Sequence, residues 1–172
     1  SVKEIGHDCF YNGENIQTLI LSKNSEFTII PEYAFYNCSH IGLDEIIIPN
    51  NIVRIETYAF YNVKGLEAIN IPDSVVFIGT HAFENCIEAD SLVLSTNPSY
   101  TLISDYTFAG CLTLQIINIP TNIINIGKCA FIHNEIATEL NFIDINEVGG
   151  CQVQTIGESA FEECLCIAYI NI

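Results

Sequence analysis

The chain contains no methionine, so Ser1 is not a translation start. The piece is read as processed or excised, with any signal peptide or anchor outside it. Basic side chains are scarce: 5 Lys plus Arg stand against 21 Asp plus Glu, a formal net charge of -16. That balance excludes nucleic acid and anionic membrane surfaces as partners, because both are bound through Lys and Arg that neutralise phosphates. Charge of either sign is sparse as well, at 15% of residues, against roughly 25% in ordinary soluble proteins. Long apolar runs are missing; none approaches the ~20 residues that cross a bilayer, so no membrane insertion is expected in this segment. Disorder is excluded on the opposite ground, since 49% of the 172 residues are hydrophobic and the chain is rich in Ile, Leu, Val and aromatics.

What is present is a repeat. Phe10, Phe35, Phe60, Phe83, Phe108, Phe131 and Phe161 follow one another at intervals of 25, 25, 23, 25, 23 and 30 residues. Five residues before each stands an isoleucine: Ile5, Ile30, Ile55, Ile78, Ile103, Ile126 and Ile156. Gly follows that Ile at Gly6, Gly79, Gly127 and Gly157, and a small residue precedes the Phe at Ala34, Ala59, Ala82, Thr107, Ala130 and Ala160. Downstream lies an alternation, cleanest in Leu66-Glu67-Ala68-Ile69-Asn70-Ile71-Pro72, that fits a strand with alternate side chains facing a core. Pro49, Pro72 and Pro120 stop that strand and start a turn. Each unit therefore reads as strand, turn, short extended segment and a tight helical or 3₁₀ turn around the Phe. No unit of this size buries its own apolar face, so the units must stack into a solenoid.

These residues closely resemble the BspA-like (Treponema pallidum-type) class of leucine-rich repeat. Ile71 through Leu92 match its unit Ile-Pro-x-Ser-Val-x-x-Ile-Gly-x-x-Ala-Phe-x-x-Cys-x-x-Leu-x-x-Ile nearly letter for letter, apart from Ala89 at the Leu position. The resemblance covers essentially the whole chain, in approximate units 1–21, 22–48, 49–71, 72–94, 95–119, 120–142 and 143–172. It implies a right-handed coil with a parallel β-sheet on the concave face and short helical or 3₁₀ turns opposite. It also implies a secreted or surface-displayed, non-enzymatic protein used for adhesion to a protein or cell-surface ligand. No unit carries an evident polar cap. The chain opens with Ser1-Val2-Lys3-Glu4-Ile5-Gly6, the phase that follows the strand with which Ile170-Asn171-Ile172 closes. Two readings of this stay open: a piece cut from a longer array, or a structural subunit that stacks head-to-tail into an extracellular fibre.

Three insertions fall after the strand: Ser22 to Glu26, the polar cluster Ser95 to Tyr100, and the longest, Ile143 to Cys151. They are expected to line one edge of the coil as tolerated length. Cys38, Cys86, Cys111 and Cys164 share the position three residues after the Phe and form a ladder of buried thiols. Only Cys86 and Cys111 occupy that slot in adjacent units, where a bridge is open but not required. Cys151 and Cys166 lie off the ladder and are the candidates for a bond or an exposed thiol. No Cys-x-x-Cys, no spaced histidine pair, no nucleophile elbow and no phosphate loop occurs, so no cofactor or metal is expected. Asp144-x-Asn146-Glu147 lacks the ligand periodicity of a calcium loop.

Binding surfaces are read from columns. The outward strand positions are Thr18, Glu45, Ala68, Ser91, Ile116, Glu139 and Tyr169 in one column. Ile20, Ile47, Asn70, Val93, Asn118, Asn141 and Asn171 make a second. Ile20 and Ile47 at exposed places suggest a contact surface for a partner, and the Asn residues a side-chain amide ladder. Glu45, Asn70, Ile116, Asn118, Glu139, Asn141 and Tyr169 complete the candidate partner-binding set. Tyr33, Tyr58 and Tyr106, with His81, form an aromatic column two residues before the Phe, and Tyr11, Tyr36 and Tyr61 another just after it. Such rings either bind protein or sugar or pack on one another and stiffen the coil. Asn37 heads the only glycosylation sequon, but it shares its position with Asn12, Asn62 and Asn85, which favours a turn-forming role.

Overall fold

A computed structural model describes residues 2–16, 19–39, 43–142 and 152–171, with the backbone alone for 43–46 and 169–171. In chain order the strands are β1 (Ile29–Ile30), β2 (Leu43–Ile47), β3 (Arg54–Ile55), β4 (Leu66–Asn70), β5 (Phe77–Ile78) and β6 (Ser91–Val93). They continue as β7 (Leu102–Ile103), β8 (Ile116–Ile119), β9 (Asn125–Ile126), β10 (Glu139–Phe142), β11 (Thr155–Ile156) and β12 (Tyr169–Asn171). The even-numbered strands are the alternating segments, and the odd-numbered ones are the short extended pieces that lead into each Phe.

All pairing is parallel and skips one strand: β2-β4-β6 and β8-β10-β12 on one face, β1-β3-β5 and β7-β9-β11 on another. Each residue therefore sits beside its counterpart one coil turn on. Ile30, Ile55 and Ile78 share one register, and so do Ile103, Ile126 and Ile156. Ile69 pairs with Ile46 and Leu92 in the longer strands. A repeat in sequence thus becomes a column in space, and the columns form the core.

The third face consists of the turns around the phenylalanines. Among the described residues there is no helix. The 3₁₀-type bond does occur, as in Tyr36 N–H to Tyr33 C=O at 3.2 Å and Cys38 N–H to Phe35 C=O at 3.3 Å. It never runs on into a helix, because a left-handed residue frames each turn on both sides. Two residues before the Phe these are Asp8, Tyr33, Tyr58, His81, Tyr106, Cys129 and Ser159; two after it they are Asn12, Asn37, Asn62, Asn85, Gly110, His133 and Glu163. The asparagines stand there because a short amide tolerates that conformation.

Inside the turns the seven phenylalanine rings stack in one continuous column, with centroids 5.1–5.7 Å apart. The five inner rings are fully buried, whereas Phe10 is 44% exposed. Such stacking adds about 0.5–1.5 kcal/mol per pair beyond the area buried. The glycine after the isoleucine has a steric cause: a Cβ on Gly79 would lie 2.5 Å from the Thr57 backbone nitrogen of the preceding turn, and one on Gly127 2.6 Å from that of Asp105.

The strand ladders break between β5 and β7 and between β6 and β8, beside the Ser95–Tyr100 insertion. That insertion departs from the expected polar edge loop. Ser95 and Tyr100 are fully buried, and the Ser95 hydroxyl donates to the Val75 carbonyl at 2.9 Å. Residues 22–27 fold identically. In both loops a Ser Oγ accepts from an Asn N–H, the Asn side chain accepts from the N–H two residues on, and an aromatic, Phe27 or Tyr100, enters the core. The shared string Ser-x-Asn-x-x-aromatic carries that fold. The third insertion, 143–151, lies outside the described residues.

Candidate functional site

The turn face is built from the backbone outward. In each turn but that of Phe161, the residue two before the Phe, the Phe itself and the residue two after it donate N–H groups to carbonyls of the next turn. One such set is Tyr33 to Thr57 at 3.2 Å, Phe35 to Ala59 at 2.8 Å and Asn37 to Tyr61 at 2.7 Å. This ladder fixes the turn spacing, and with the Phe pointing inward the flanking rings are turned to the surface. Tyr33, Tyr58, His81 and Tyr106 stack with centroids 5.0, 4.5 and 4.7 Å apart, within 11° of parallel. Tyr11, Tyr36 and Tyr61 form a second stack at 4.7 Å per step.

The two stacks meet at an angle. Tyr33 lies 5.5 Å from Tyr36 with planes tilted by 58°, and Tyr58 lies 5.5 Å from Tyr61 at 67°. The two stacks together line an open groove of about 640 Å³, with Asp8 near one end and Glu84 near the other. His81 Nδ1 is in hydrogen-bond contact with the Glu84 carboxylate. Loss of solvent, then the neighbouring phenols Tyr61, Tyr11, Tyr58 and Tyr33, push the Tyr36 phenol above its ordinary pKa. The Tyr36 hydroxyl is therefore held as a protonated donor at neutral pH. Both expected roles of the rings coexist: they pack on one another face to face and present edges and hydroxyls to solvent. Asp8 and Glu84 were not singled out from the sequence, although each occupies a tyrosine position of the repeat and was findable by that phase.

A side-chain amide ladder runs beside the groove. Asn37 Nδ2 donates to Asn12 Oδ1 at 2.8 Å and Asn62 Nδ2 donates to Asn37 Oδ1 at 2.5 Å. The sequon nitrogen of Asn37 is thus spent on the ladder, and a glycan there would break it. On the longer-strand face Asn141 Nδ2 donates to Asn118 Oδ1 at 3.1 Å, one further step of the same kind.

That face holds the remaining candidates. The registers place Glu45, Ala68 and Ser91 side by side, and likewise Ile47, Asn70 and Val93. They also align Ile116, Glu139 and Tyr169, and Asn118, Asn141 and Asn171. Ile47 is 66% exposed and Val93 57%, with Asn70 between them in their column; Ile116 is 41% exposed in the other column, and Ile20, 84% exposed, precedes the first of these strands. Thr18 and the side chains of Glu45, Tyr169 and Asn171 lie outside the description.

The cysteines serve the fold. Cys38, Cys86, Cys111 and Cys164 each turn their Sγ toward the carbonyl of the Phe one turn back, at 3.1–3.5 Å. Asn134 fills the same slot with its Nδ2, 3.1 Å from Phe108 O, a substitution that the repeat phase also marks. Burial pushes the Cys111 thiol up to about 12 and that of Cys86 well above the ordinary value. Cys86 and Cys111 are unbridged, and Cys166 is an exposed free thiol. Cys151 and the Asp144–Glu147 stretch lie outside the described residues. Among the described residues no group of three or more His, Cys, Asp or Glu could hold a metal ion, and no helix is long and apolar enough to cross a membrane.

Residues 1–89 and 28–167 match the model of the BspA-type leucine-rich repeat region, in six copies. No curated protein matches the chain. Among solved structures, the T. pallidum leucine-rich repeat protein is 27% identical over 68% of this chain and 50% of its own, with a TM-score of 0.57. A leucine-rich cell surface protein from Faecalibacterium prausnitzii is 29% identical over 76% of this chain and 36% of its own, TM-score 0.52. A leucine-rich repeat protein from Eubacterium ventriosum shares the fold at 19% identity and a TM-score of 0.65, over 86% of this chain and 42% of its own. The chain thus spans half or less of the length of these relatives.

Proposed function

Because the chain belongs to the BspA-type leucine-rich repeat family, we propose that it is a non-enzymatic, extracellular binding segment that attaches to a protein partner at a cell surface. The observation that carries this reading is the exposure of Ile47, Val93 and Ile116, which leaves large apolar side chains in water at outward positions of the longer-strand face. Exposure of that kind costs about 25 cal/mol per Å² relative to burial, a cost that a partner covering the face would remove. A solenoid sheet is also the broad, rigid surface on which repeat proteins seat their partners. Placement at a cell surface draws support from the F. prausnitzii relative, itself a leucine-rich cell surface protein.

The test is saturable binding of the labelled chain to intact cells and to immobilised extracellular proteins. Ile47→Asp with Val93→Asp is expected to reduce that binding at least tenfold while leaving the unfolding temperature unchanged, since both side chains are solvent-exposed. Binding that survives the double substitution, or no binding to any of these surfaces, overturns the reading.

A further inference from the structure

The geometry points to the tyrosine groove as a second docking surface, one that takes a basic, proline-rich peptide segment in the polyproline II conformation. The first argument is periodicity. Tyr11, Tyr36 and Tyr61 repeat every 4.7 Å. A polyproline II helix advances ~9.3 Å per turn, three residues at ~3.1 Å each. Two ring steps therefore match one ligand turn, and every third ligand residue meets an equivalent pair of rings. An extended β-strand, which repeats every two residues or ~6.6 Å, falls out of phase with the rings.

The second argument is what the walls offer. Ring faces within each stack are covered by their neighbours, so the flat stacking that sugars use has little to land on. Exposed instead are ring edges and rows of phenol hydroxyls. A polyproline II segment makes no internal hydrogen bonds and leaves its carbonyls solvated, so those hydroxyls have acceptors to meet. Its conformation is already restricted before binding, which lowers the ordering cost. The burial and mutual crowding that raise the Tyr36 phenol keep that hydroxyl a donor.

The third argument is charge. Among the described residues no lysine or arginine lines the groove, whereas Asp8 and Glu84 stand toward its two ends. The chain as a whole carries a net charge of -16. Basic residues flanking the prolines are favoured by both, and acidic ligands are repelled. This surface is separate from the exposed apolar side chains of the longer-strand face, so each stands or falls alone.

The probe is a fluorescent peptide of repeated Pro-Pro-Ser triplets with an arginine at each end, titrated with the whole chain and read by anisotropy. Saturable binding is expected, weakened at least fivefold when alanine replaces the prolines. Tyr36→Phe with Tyr58→Phe keeps the rings and removes two hydroxyls; it is expected to weaken binding at least fivefold with an unchanged melting temperature. Asp8→Asn is expected to weaken binding and flatten its salt dependence. Ile47→Asp with Val93→Asp is expected to leave peptide binding intact. Absence of binding up to about 1 mM, the weak end of specific recognition, overturns the proposal. Equal binding of the alanine peptide or of the double-Phe variant overturns it too. A neutral linear oligosaccharide that competes with the peptide and depends on the same hydroxyls would assign the groove to glycans instead. Loss of cell binding in the longer-strand variant, with any of these failures, would leave the proposed function standing and remove only this groove.

Discussion

Asn122 Nδ2 lies 2.6 Å from the carbonyl oxygen of Tyr100 and also donates to Asn97 at 3.1 Å and Ser95 at 3.2 Å, so one amide holds the whole 95–100 loop. Asn51 does the same for the earlier loop, 3.1 Å from Ser22 O and 2.5 Å from Phe27 O. Loop and clamp come from successive turns of the coil. Asn122→Ala leaves buried carbonyls short of a donor and is expected to cost about 1–3 kcal/mol. Thermal unfolding measures it. Asn122→Asp, similar in shape but without N–H groups, should not rescue; if it does, the amide is not the clamp.

The phenylalanine column is a second place where one residue matters far beyond its own turn. Phe83 touches Phe60 and Phe108 at 5.1 and 5.7 Å and is buried. Phe83→Ala should cost about 3–5 kcal/mol, the range for a buried aromatic replaced by a cavity. Phe10→Ala, at a ring that is 44% exposed, should cost less than half as much. Urea unfolding of both variants decides; equal losses would show that burial within the column does not set the cost.

Gly79 is a packing requirement rather than a flexible joint. Its missing Cβ would lie 2.5 Å from the Thr57 backbone nitrogen. Backbone cannot step aside as a side chain can, so Gly79→Ala is expected to destabilise by about 1–3 kcal/mol. Ser91→Ala on the exposed strand face should stay within about 0.5 kcal/mol. A neutral Gly79→Ala, read by the same unfolding assay, would mean that the turns separate more easily than the geometry indicates.

The buried thiols make stability fall at alkaline pH. Below the ordinary thiol pKa of 9.0 both folded and unfolded chains hold the Cys111 proton, and nothing is lost. Between 9.0 and about 12 the unfolded chain releases it and the folded chain does not. Stability therefore declines as pH rises through that window, by about 1.4 kcal/mol per pH unit for one thiol. Cys111→Ala should remove that share of the slope in unfolding measured across the window. Alkylation of the native chain should mark the exposed Cys166 and spare Cys86 and Cys111 until unfolding.

Much of this was legible in the residues. The Phe and Ile phases named the buried columns directly, because in a coil with parallel register the sequence period and the spatial neighbour are the same thing. The outward strand columns followed from alternation alone, and the exposed Ile20 and Ile47 stood out as apolar residues at outward positions. Other features escaped. Ser95 to Tyr100 reads as a polar loop by composition, yet its Ser and Tyr are interior, since an Asn from the next turn satisfies the loop carbonyls. The turns around the Phe have helix-like local bonds, but Tyr33 and Asn37 on either side of one Phe are left-handed.

Sequence by itself determined the solenoid, its phase, its family and its net negative charge, because each depends on composition or on a repeat distance along the chain. Tertiary structure alone decided how the turns meet. Whether Tyr36 stacks on Tyr11 and Tyr61 or lies flat on the surface depends on the angle at which successive turns are held. So does the groove that Tyr36 and Tyr33 line. That angle is set by the backbone ladder from Tyr33, Phe35 and Asn37 to the next turn. Hydrogen bonds between residues about 25 apart respond to three-dimensional spacing, and no local pattern in the chain encodes them.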